Sequence, residues 1–133
     1  MYFPYLRAKQ FELITLRELV SEGELQNKIF PVIEPVKESF NNLSLANEIF
    51  QKYDFESYLI VNPNQGELSG NDERILVYIS NLKKSKYLPS FLYLDNYKYI
   101  NSSIKNYNLE KCLIICLDNF SDEDNFKKLC END

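Results

Sequence analysis

The sequence predicts an α/β fold in which alternating βα units form a parallel sheet. Three observations lead to this prediction: five short apolar runs, a helix-like stretch after each run, and a charged or amide residue at the end of each run. Ligands bind at the carboxyl ends of the strands in such sheets, so the third observation also points to one face. The runs cover residues 2–6, 29–33, 58–61, 91–94 and 112–117, and the residues at their ends are Arg7, Glu34, Asn62, Asp95 and Asp118.

The first two units each join an apolar run to an amphipathic helix. From residue 9 to residue 24, apolar side chains recur every three or four positions, and Gly23 stands where a helix commonly ends. The second run is short and β-branched, and Ser39 is suited to cap the helix that follows it. The apolar positions of the two helices are Phe11, Leu13, Ile14, Leu16, Leu19, Val20, Leu43, Ala46, Ile49, Phe50 and Tyr53.

The third and fourth units repeat this pattern. The third helix has an acidic start at Asp72 and Glu73 and a lysine-rich end that includes Lys86, so both ends suit the helix dipole. Pro89 is expected to introduce the fourth strand, and a weaker helix follows it. The apolar positions of these two helices are Ile75, Leu76, Ile79, Leu82, Ile100, Ile104 and Tyr107.

The last unit completes the predicted sheet. Residues 112–117 are apolar throughout, as expected for a strand buried on both faces, and residues 121–124 resemble a helix cap with an acidic first turn. Phe126, Leu129 and Cys130 would form the inner stripe of that helix. Right-handed crossovers between such units make the sheet parallel. Two arrangements remain open: a partial TIM-like barrel, or an open three-layer α/β sandwich.

Length and charge limit the classes of protein that fit. A chain of 133 residues suits a single domain, residues 1–133, which is alternatively the amino-terminal part of a longer βα barrel. The net charge of −5 has the wrong sign for a general nucleic-acid binder. No apolar stretch approaches the roughly 18 residues that span a bilayer, and the amino terminus lacks a signal-peptide apolar block. We therefore expect a cytoplasmic location.

Histidine and cysteine usage excludes two kinds of site. The chain has no histidine, so it contains neither a Cys/His nucleophile nor a Cys2His2 zinc site. Cys112 and Cys116 would lie roughly 13 Å apart on a strand that rises about 3.3 Å per residue, too far apart for a disulfide. We expect reduced, structural cysteines.

The residues at the strand ends form the candidate site. Glu34, Asn62, Asp95 and Asp118 are expected to converge on the carboxyl-end face, with Lys9 or Arg7 as the cation. Glu34, Asp95 and Asp118 offer the hard oxygen ligands that Mg²⁺ prefers. The alternative is that these polar residues cap helices and make turns, as the pairs at residues 95–96 and 118–119 suggest.

The amino-terminal region also resembles a known family. Residues 2–12 and 30–35 show a Tyr-x-Pro motif, a basic residue, a glutamate, a leucine-containing helix and a Pro-x-x-Glu motif. This pattern is similar to the start of the uncharacterised bacterial and phage "beta protein" family. The resemblance covers residues 1–38 and implies a TIM-barrel-like array of which this chain holds roughly the first five βα units. It brings no activity, so Lys9, Glu12, Pro31 and Glu34 carry over as motif positions only.

Two functions follow from these observations. The first is a cytoplasmic interaction module of phage or mobile-element association that binds a protein partner or itself, because an open array leaves sheet edges exposed. The candidate surface is the exposed part of an aromatic cluster in the fourth unit, or the terminal strand. The second is a metal-assisted hydrolase or transferase in which Asn62 orients the substrate and Lys9 balances charge. The aromatic cluster comprises Phe91, Tyr93, Tyr97, Tyr99 and Tyr107.

Overall fold

Five strands and four helices alternate along the chain. The computed structural model describes residues 2–37, 39–64, 66–82 and 85–116, together with Asp124, Lys127 and Lys128. The strands are β1 (Tyr5–Arg7), β2 (Val32–Glu34), β3 (Ser57–Ile60), β4 (Tyr87–Tyr93) and β5 (Leu113–Cys116). The helices are α1 (Gln10–Ser21), α2 (Asn41–Lys52), α3 (Asp72–Asn81) and α4 (Tyr97–Asn106).

The strands form one parallel sheet whose spatial order is the order of the chain, β1-β2-β3-β4-β5. Register pairs include Arg7 with Glu34 between β1 and β2, and Ile60 with Ser90 between β3 and β4. The order contains no reversal, whereas a doubly wound sheet reverses its strand order at a switch point. The alternation of strands and helices and the parallel pairing of all five strands confirm the predicted α/β class.

The main core lies between the sheet and the four helices, on what we call the outer face. Each helix contributes buried apolar side chains to this one cluster, as the periodic positions predicted. At its centre the Phe50 ring lies 5.3 Å from the Phe55 ring and 5.8 Å from the Tyr87 ring. The Tyr87 hydroxyl donates a hydrogen bond of 2.7 Å to the carbonyl oxygen of Leu43, so this buried hydroxyl is satisfied.

The opposite side of the sheet, the inner face, carries a second and smaller cluster. Val32, Tyr58, Ile60 and Leu92 are buried there, and no described helix contributes to them. They are covered by side chains of the sheet itself, including those of Phe30, Leu88, Leu113 and Ile115 at the margin. In the described part of the chain the helices thus form one layer, and the three-layer arrangement is not observed.

Two boundaries differ from the prediction. β4 begins at Tyr87, so Pro89 lies inside the strand and does not introduce it. The missing N–H of Pro89 is tolerated because the pairing of β4 with β5 begins only at Ser90. Lys86 does not close α3, which ends at Asn81; its ammonium group instead pairs with Asp54.

The ends of α2 and α4 show how the chain turns with few glycines. Asp54 and Asn108 follow these helices with φ values of 52°, the left-handed region that Gly usually occupies. The N–H groups of Phe55 and Leu109 donate to the carbonyl oxygens of Phe50 and Ile104, the 6→1 bond of a Schellman motif. The short Asp and Asn side chains therefore take the role of the C′ glycine.

Candidate functional site

The structure places the predicted site residues at the carboxyl ends of their strands. Glu34 is the last residue of β2, and Asn62 and Asp95 each follow a strand by two residues. Lys9 lies at the N-cap position of α1, just after β1. Asp118 and most of the predicted helix after it lie outside the described residues. The topology therefore brings four of the five positions to one end of the sheet.

Glu34 is the centre of the most organised group at this end. Its side chain is 3% exposed, which is unusual for a carboxylate. Arg7 is its register partner on β1, and Tyr5 stands two residues before Arg7, so alternation along the strand places the three side chains on the inner face. The Tyr5 hydroxyl donates a hydrogen bond to the Glu34 carboxylate. A buried carboxylate, a phenol and a guanidinium thus meet above the inner face.

Tyr5 keeps its proton to a higher pH than an ordinary tyrosine because of this setting. Burial raises the pKa of Tyr5 to about 12, and the hydrogen bond to Glu34 and the negative charge of Glu34 act in the same direction. The positive charge of Arg7 opposes them. The phenol of Tyr5 is therefore held in its hydrogen-bond-donating form to well above neutral pH.

Asn62 extends the β3–β4 ladder with its side chain. Its Nδ2 donates to the carbonyl oxygen of Leu92 at 3.0 Å, and its Oδ1 accepts from the N–H of Leu92 at 2.8 Å. The residue is 7% exposed. A side-chain amide thus takes the place of a backbone peptide where β3 ends, which explains why an amide is suited to this position. A role in orienting a substrate is not tested by these contacts.

Asp95 belongs to a turn. It adopts a φ of 56°, and the next residue, Asn96, accepts a hydrogen bond of 2.9 Å from the N–H of Leu94 through its Oδ1. Asn96 also donates to the carbonyl oxygen of Leu92 at 3.2 Å. These contacts match the alternative interpretation of the pair at residues 95–96 as a turn at the start of a helix.

A magnesium site built from Glu34, Asp95 and Asp118 stays a prediction. Within the described ranges, no group of three or more His, Cys, Asp or Glu side chains lies close enough to hold a metal ion. Glu34 ends β2 and Asp95 follows β4. These two strands are separated by β3 and lie about 10 Å apart at the usual strand spacing. Asp118 is the third proposed ligand and lies outside the described part.

Lys9 lies in a cleft beside this group. Arg7, Lys9 and Lys37 line an opening of about 450 Å³ together with Val36, Gly66 and Glu67. Glu67 forms an exposed ion pair with Lys37 at 3.6 Å. The loop of Gly66 is fixed here because an added Cβ would lie 2.7 Å from the Val36 backbone, so only glycine fits. The cleft carries more positive than negative charge.

Most of the large exposed apolar residues lie away from the fourth unit. Phe91 and Tyr93 are buried, and Tyr97, Tyr99 and Tyr107 pack partly buried against the main core, so only a part of this aromatic cluster is exposed. Large exposed apolar side chains gather instead around β1 and α1: Tyr2, Phe3, Tyr5, Phe11 and Leu19. The sequence did contain a signal for this exposed surface. Phe11 does not share the helix face of the buried Leu13, Leu16 and Val20, so an apolar side chain was to be expected on the exposed side of α1.

Phe11 and Leu19 border a defined depression, which we call the α1 groove. Its lining is mostly apolar and its volume is about 310 Å³. Phe11 is 79% exposed and Leu19 is 42% exposed, eight residues apart with Thr15 midway, so the three share one side of α1. The lining residues are Leu6, Phe11, Glu12, Thr15, Leu16 and Leu19.

Comparisons with known proteins do not assign the chain to a family. No protein-family model matches it, and neither a curated protein nor a solved structure is detectably similar to it. The resemblance to the "beta protein" family therefore stays a prediction. Among the described helices, none is both long enough and apolar enough to cross a membrane.

Proposed function

We propose that this protein is a protein-interaction module that uses the inner face and the edges of its sheet. The observation that supports this proposal is the asymmetry of the sheet. Parallel sheets are ordinarily covered on both faces, yet all four described helices pack on the outer face. Phe3 and Tyr5, on the inner side of the first strand, remain 40% and 47% exposed. Apolar surface of this kind is characteristic of a binding surface.

The same features support a barrel-like architecture. The strand order follows the chain, the helices lie on one face, and the central inner residues bury one another without a helix above them. A curved sheet whose side chains converge on a shared interior has these properties. The proposed partner is protein that covers this interior, supplied by a second copy or by another chain. A phage or mobile-element association belongs to this proposal through the family resemblance, and a cytoplasmic location belongs to it through the lack of a long apolar stretch in the sequence.

A substitution on the inner face tests the proposal. The Phe3 ring lies 5.8 Å from the Phe30 ring and 6.1 Å from the Tyr58 ring, at the margin of the inner face. Phe3→Asp should weaken association by tenfold or more in sedimentation velocity, because a buried charge opposes apolar contact. Val77→Asp on α3 is the matched control, since Val77 is 41% exposed and lies away from the inner face. Equal behaviour of the two variants would contradict the proposal.

A metal-assisted hydrolase or transferase is the second candidate function. The observation that favours it is the buried Glu34 carboxylate, held by Tyr5 beside Arg7 at the carboxyl end of the sheet. Active sites of parallel α/β proteins occupy this end. In this proposal Glu34, Asp95 and Asp118 are ligands for Mg²⁺, Asn62 orients the substrate and Lys9 balances charge.

Metal titration tests this second candidate directly. Binding to the native state raises the melting temperature by mass action, so millimolar Mg²⁺ or Mn²⁺ should stabilise the protein. Glu34→Gln should abolish the shift, and Glu56→Gln, which changes an exposed carboxylate that lies within 4.0 Å of Lys111, should retain it. The absence of a shift in the unaltered protein would rule out this function.

A further inference from the structure

Three cations line one cleft at the carboxyl end of the sheet, which we call the basic cleft. Arg7 ends β1, Lys9 precedes the first residue of α1, and Lys37 follows the end of β2 by three residues. All three border the opening of about 450 Å³. Among the described residues that line it, Glu67 is the only acid. Because like charges in one cavity repel one another, the basic cleft favours an anion between them.

The acids near these cations leave part of the positive charge without compensation. Glu34 is the register partner of Arg7 and offsets its charge from below. Glu67 lies 3.6 Å from Lys37, but both side chains are more than half exposed, so water weakens this ion pair. Lys9 takes part in none of the ion pairs among the described residues. Lys9 is therefore the cation that a ligand could engage most fully.

Lys9 is also an unfavourable residue for the helix that follows it. It occupies the N-cap position of α1 and its side chain makes no capping hydrogen bond. Ser, Thr, Asp and Asn are preferred here because their oxygen atoms accept hydrogen bonds from the first turn. A cation also opposes the helix dipole at this end. Residues that break a local rule in this way are expected where function requires them, and an anion beside Lys9 would offset both penalties.

One wall of the basic cleft is fixed by backbone contacts between two loops. Gly66, in the loop after β3, has a φ of 85°, and a Cβ at this position would lie 2.7 Å from the Cα of Val36. The N–H of Glu67 donates a hydrogen bond of 3.0 Å to the carbonyl oxygen of Val36. Since the loops already hold each other in place, a ligand would bind with little further ordering of the chain.

A second cavity adjoins the basic cleft and limits the kind of ligand that fits. It has a volume of about 250 Å³ and shares Val36, Lys37 and Glu67 with the cleft. Together the two spaces reach the size range of small-molecule sites. Amide and hydroxyl side chains in the cavity can exchange hydrogen bonds with hydroxyl groups of a ligand. These side chains are Gln10, Ser39 and Asn42.

We propose that the basic cleft binds the phosphate group of a small organic phosphate, and that the adjoining cavity holds the hydroxyl-bearing remainder of the same molecule. A phosphate monoester carries up to two negative charges and three terminal oxygens, so three separate cations can contact it at once. A carboxylate offers one charge and two oxygens. The proposal uses neither the inner face nor a metal ion, and it therefore stands apart from both functions proposed above.

Inorganic phosphate is the first probe. With EDTA present and sodium chloride used to match ionic strength, millimolar phosphate should raise the melting temperature of the full chain by about 3 °C or more. Lys9→Ser should remove most of this shift. Because serine is a better N-cap than lysine, the same variant should melt at a higher temperature than the unaltered protein when phosphate is absent. A loss of the phosphate effect in a more stable variant cannot result from misfolding.

Lys98→Ser is the matched control. Lys98 is an exposed lysine in the first turn of α4, which also begins at the carboxyl end of the sheet, and it does not line the basic cleft. This variant should keep the full phosphate shift. Phosphate also stabilises proteins through its exclusion from their surface, and that effect would be the same in all variants. Equal shifts in the Lys9 and Lys98 variants, or no shift in the unaltered protein, would overturn the proposal.

The choice of phosphate and the role of the cavity are tested separately. Acetate at the same ionic strength should give a clearly smaller shift than phosphate, and an equal shift would overturn the assignment to phosphate. In isothermal titration calorimetry, glycerol 3-phosphate should bind about tenfold more tightly than inorganic phosphate. Ser39→Ala with Asn42→Ala should reduce this gain and leave the binding of inorganic phosphate unchanged. Equal affinity of the two probes for the unaltered protein would overturn the role of the cavity.

Discussion

The two faces of one sheet differ sharply in how they are buried. On the outer face, four helices cover the strands and eighteen buried apolar residues form a single cluster. On the inner face, the corresponding cluster has four buried residues and no described helix above it. Because successive side chains of a strand point to opposite faces, adjacent residues sample the two environments directly. Leu59 and Ile60 of β3 are such a pair, and both are fully buried. The outer face is thus buried beneath the described helices, whereas the buried residues of the inner face contact neighbouring side chains with no described helix above them.

The largest effect is expected from the outer member of this pair. Leu59→Ala should lower the free energy of unfolding by about 3 to 5 kcal/mol, because helices and strands enclose the cavity on every side. Chemical denaturation measured by circular dichroism gives this value. Leu45→Ala on the exposed side of α2 is the control and should change stability by less than about 0.5 kcal/mol. A loss at Leu59 no larger than that at Leu45 would contradict the description of the outer core.

A smaller effect is expected at the inner member. Ile60→Ala should cost about 2 to 3 kcal/mol at low protein concentration, because the open face can close partly over the smaller side chain. The cost should rise with protein concentration if association covers this face, since binding adds to the stability of the native state. Denaturation at two widely separated concentrations checks this point. A cost that equals that of Leu59→Ala at both would remove the distinction between the faces.

Asn62 tests the polar border of the inner face. Asn62→Leu removes both hydrogen bonds to Leu92 and leaves a buried backbone N–H and C=O with fewer partners, which should cost about 1 to 3 kcal/mol. Asn64→Leu is the control because Asn64 is exposed. If the two variants unfold at the same denaturant concentration, the amide does not support the ladder as described.

Tyr5 gives the smallest effect, and it depends on pH. The pKa of Tyr5 in the folded protein is about 12, above the ordinary tyrosine value of 10.0, so the unfolded chain loses this proton first as pH rises. The stability that Tyr5 contributes is therefore fully present below pH 10 and is lost between pH 10 and pH 12. Tyr5→Phe should flatten the pH dependence of the melting temperature in that window, whereas Tyr2→Phe should not. An unchanged profile would show that Tyr5 does not contact Glu34 in solution.

The sequence predicted the elements of this fold well because each depends on local patterns. Hydrophobic periodicity placed α1 and its buried residues Leu13, Leu16 and Val20, and apolar runs placed every strand to within a few residues. The start of β4 was missed because Pro89 is normally read as a strand boundary. Its position inside the strand depends on where β5 begins to pair, which is a tertiary property.

The candidate site was predicted less completely than the fold. Because the carboxyl ends of parallel strands share one edge of a sheet, the sequence predicted that Glu34, Asn62 and Asp95 lie at one end of the sheet, as observed. It did not reveal that Asn62 pairs with the Leu92 backbone, because that contact joins residues thirty positions apart. Tyr5 was also missed, since its interaction with Glu34 depends on the register of β1 against β2. Register is not encoded in any short motif, so such partners emerge only from the assembled sheet.

The chain-order arrangement of the strands has a consequence for folding kinetics. Every hydrogen-bonded strand pair joins neighbours in sequence, so no pair requires closure of a loop longer than one βα repeat. Topologies with such local connections reach their folding transition state faster than those that pair distant strands. Folding can then nucleate at any adjacent pair and propagate outward, as in repeat proteins. Within the described sheet β1 and β5 each pair with one strand, so their amides should exchange with solvent before those of β3 during native-state opening.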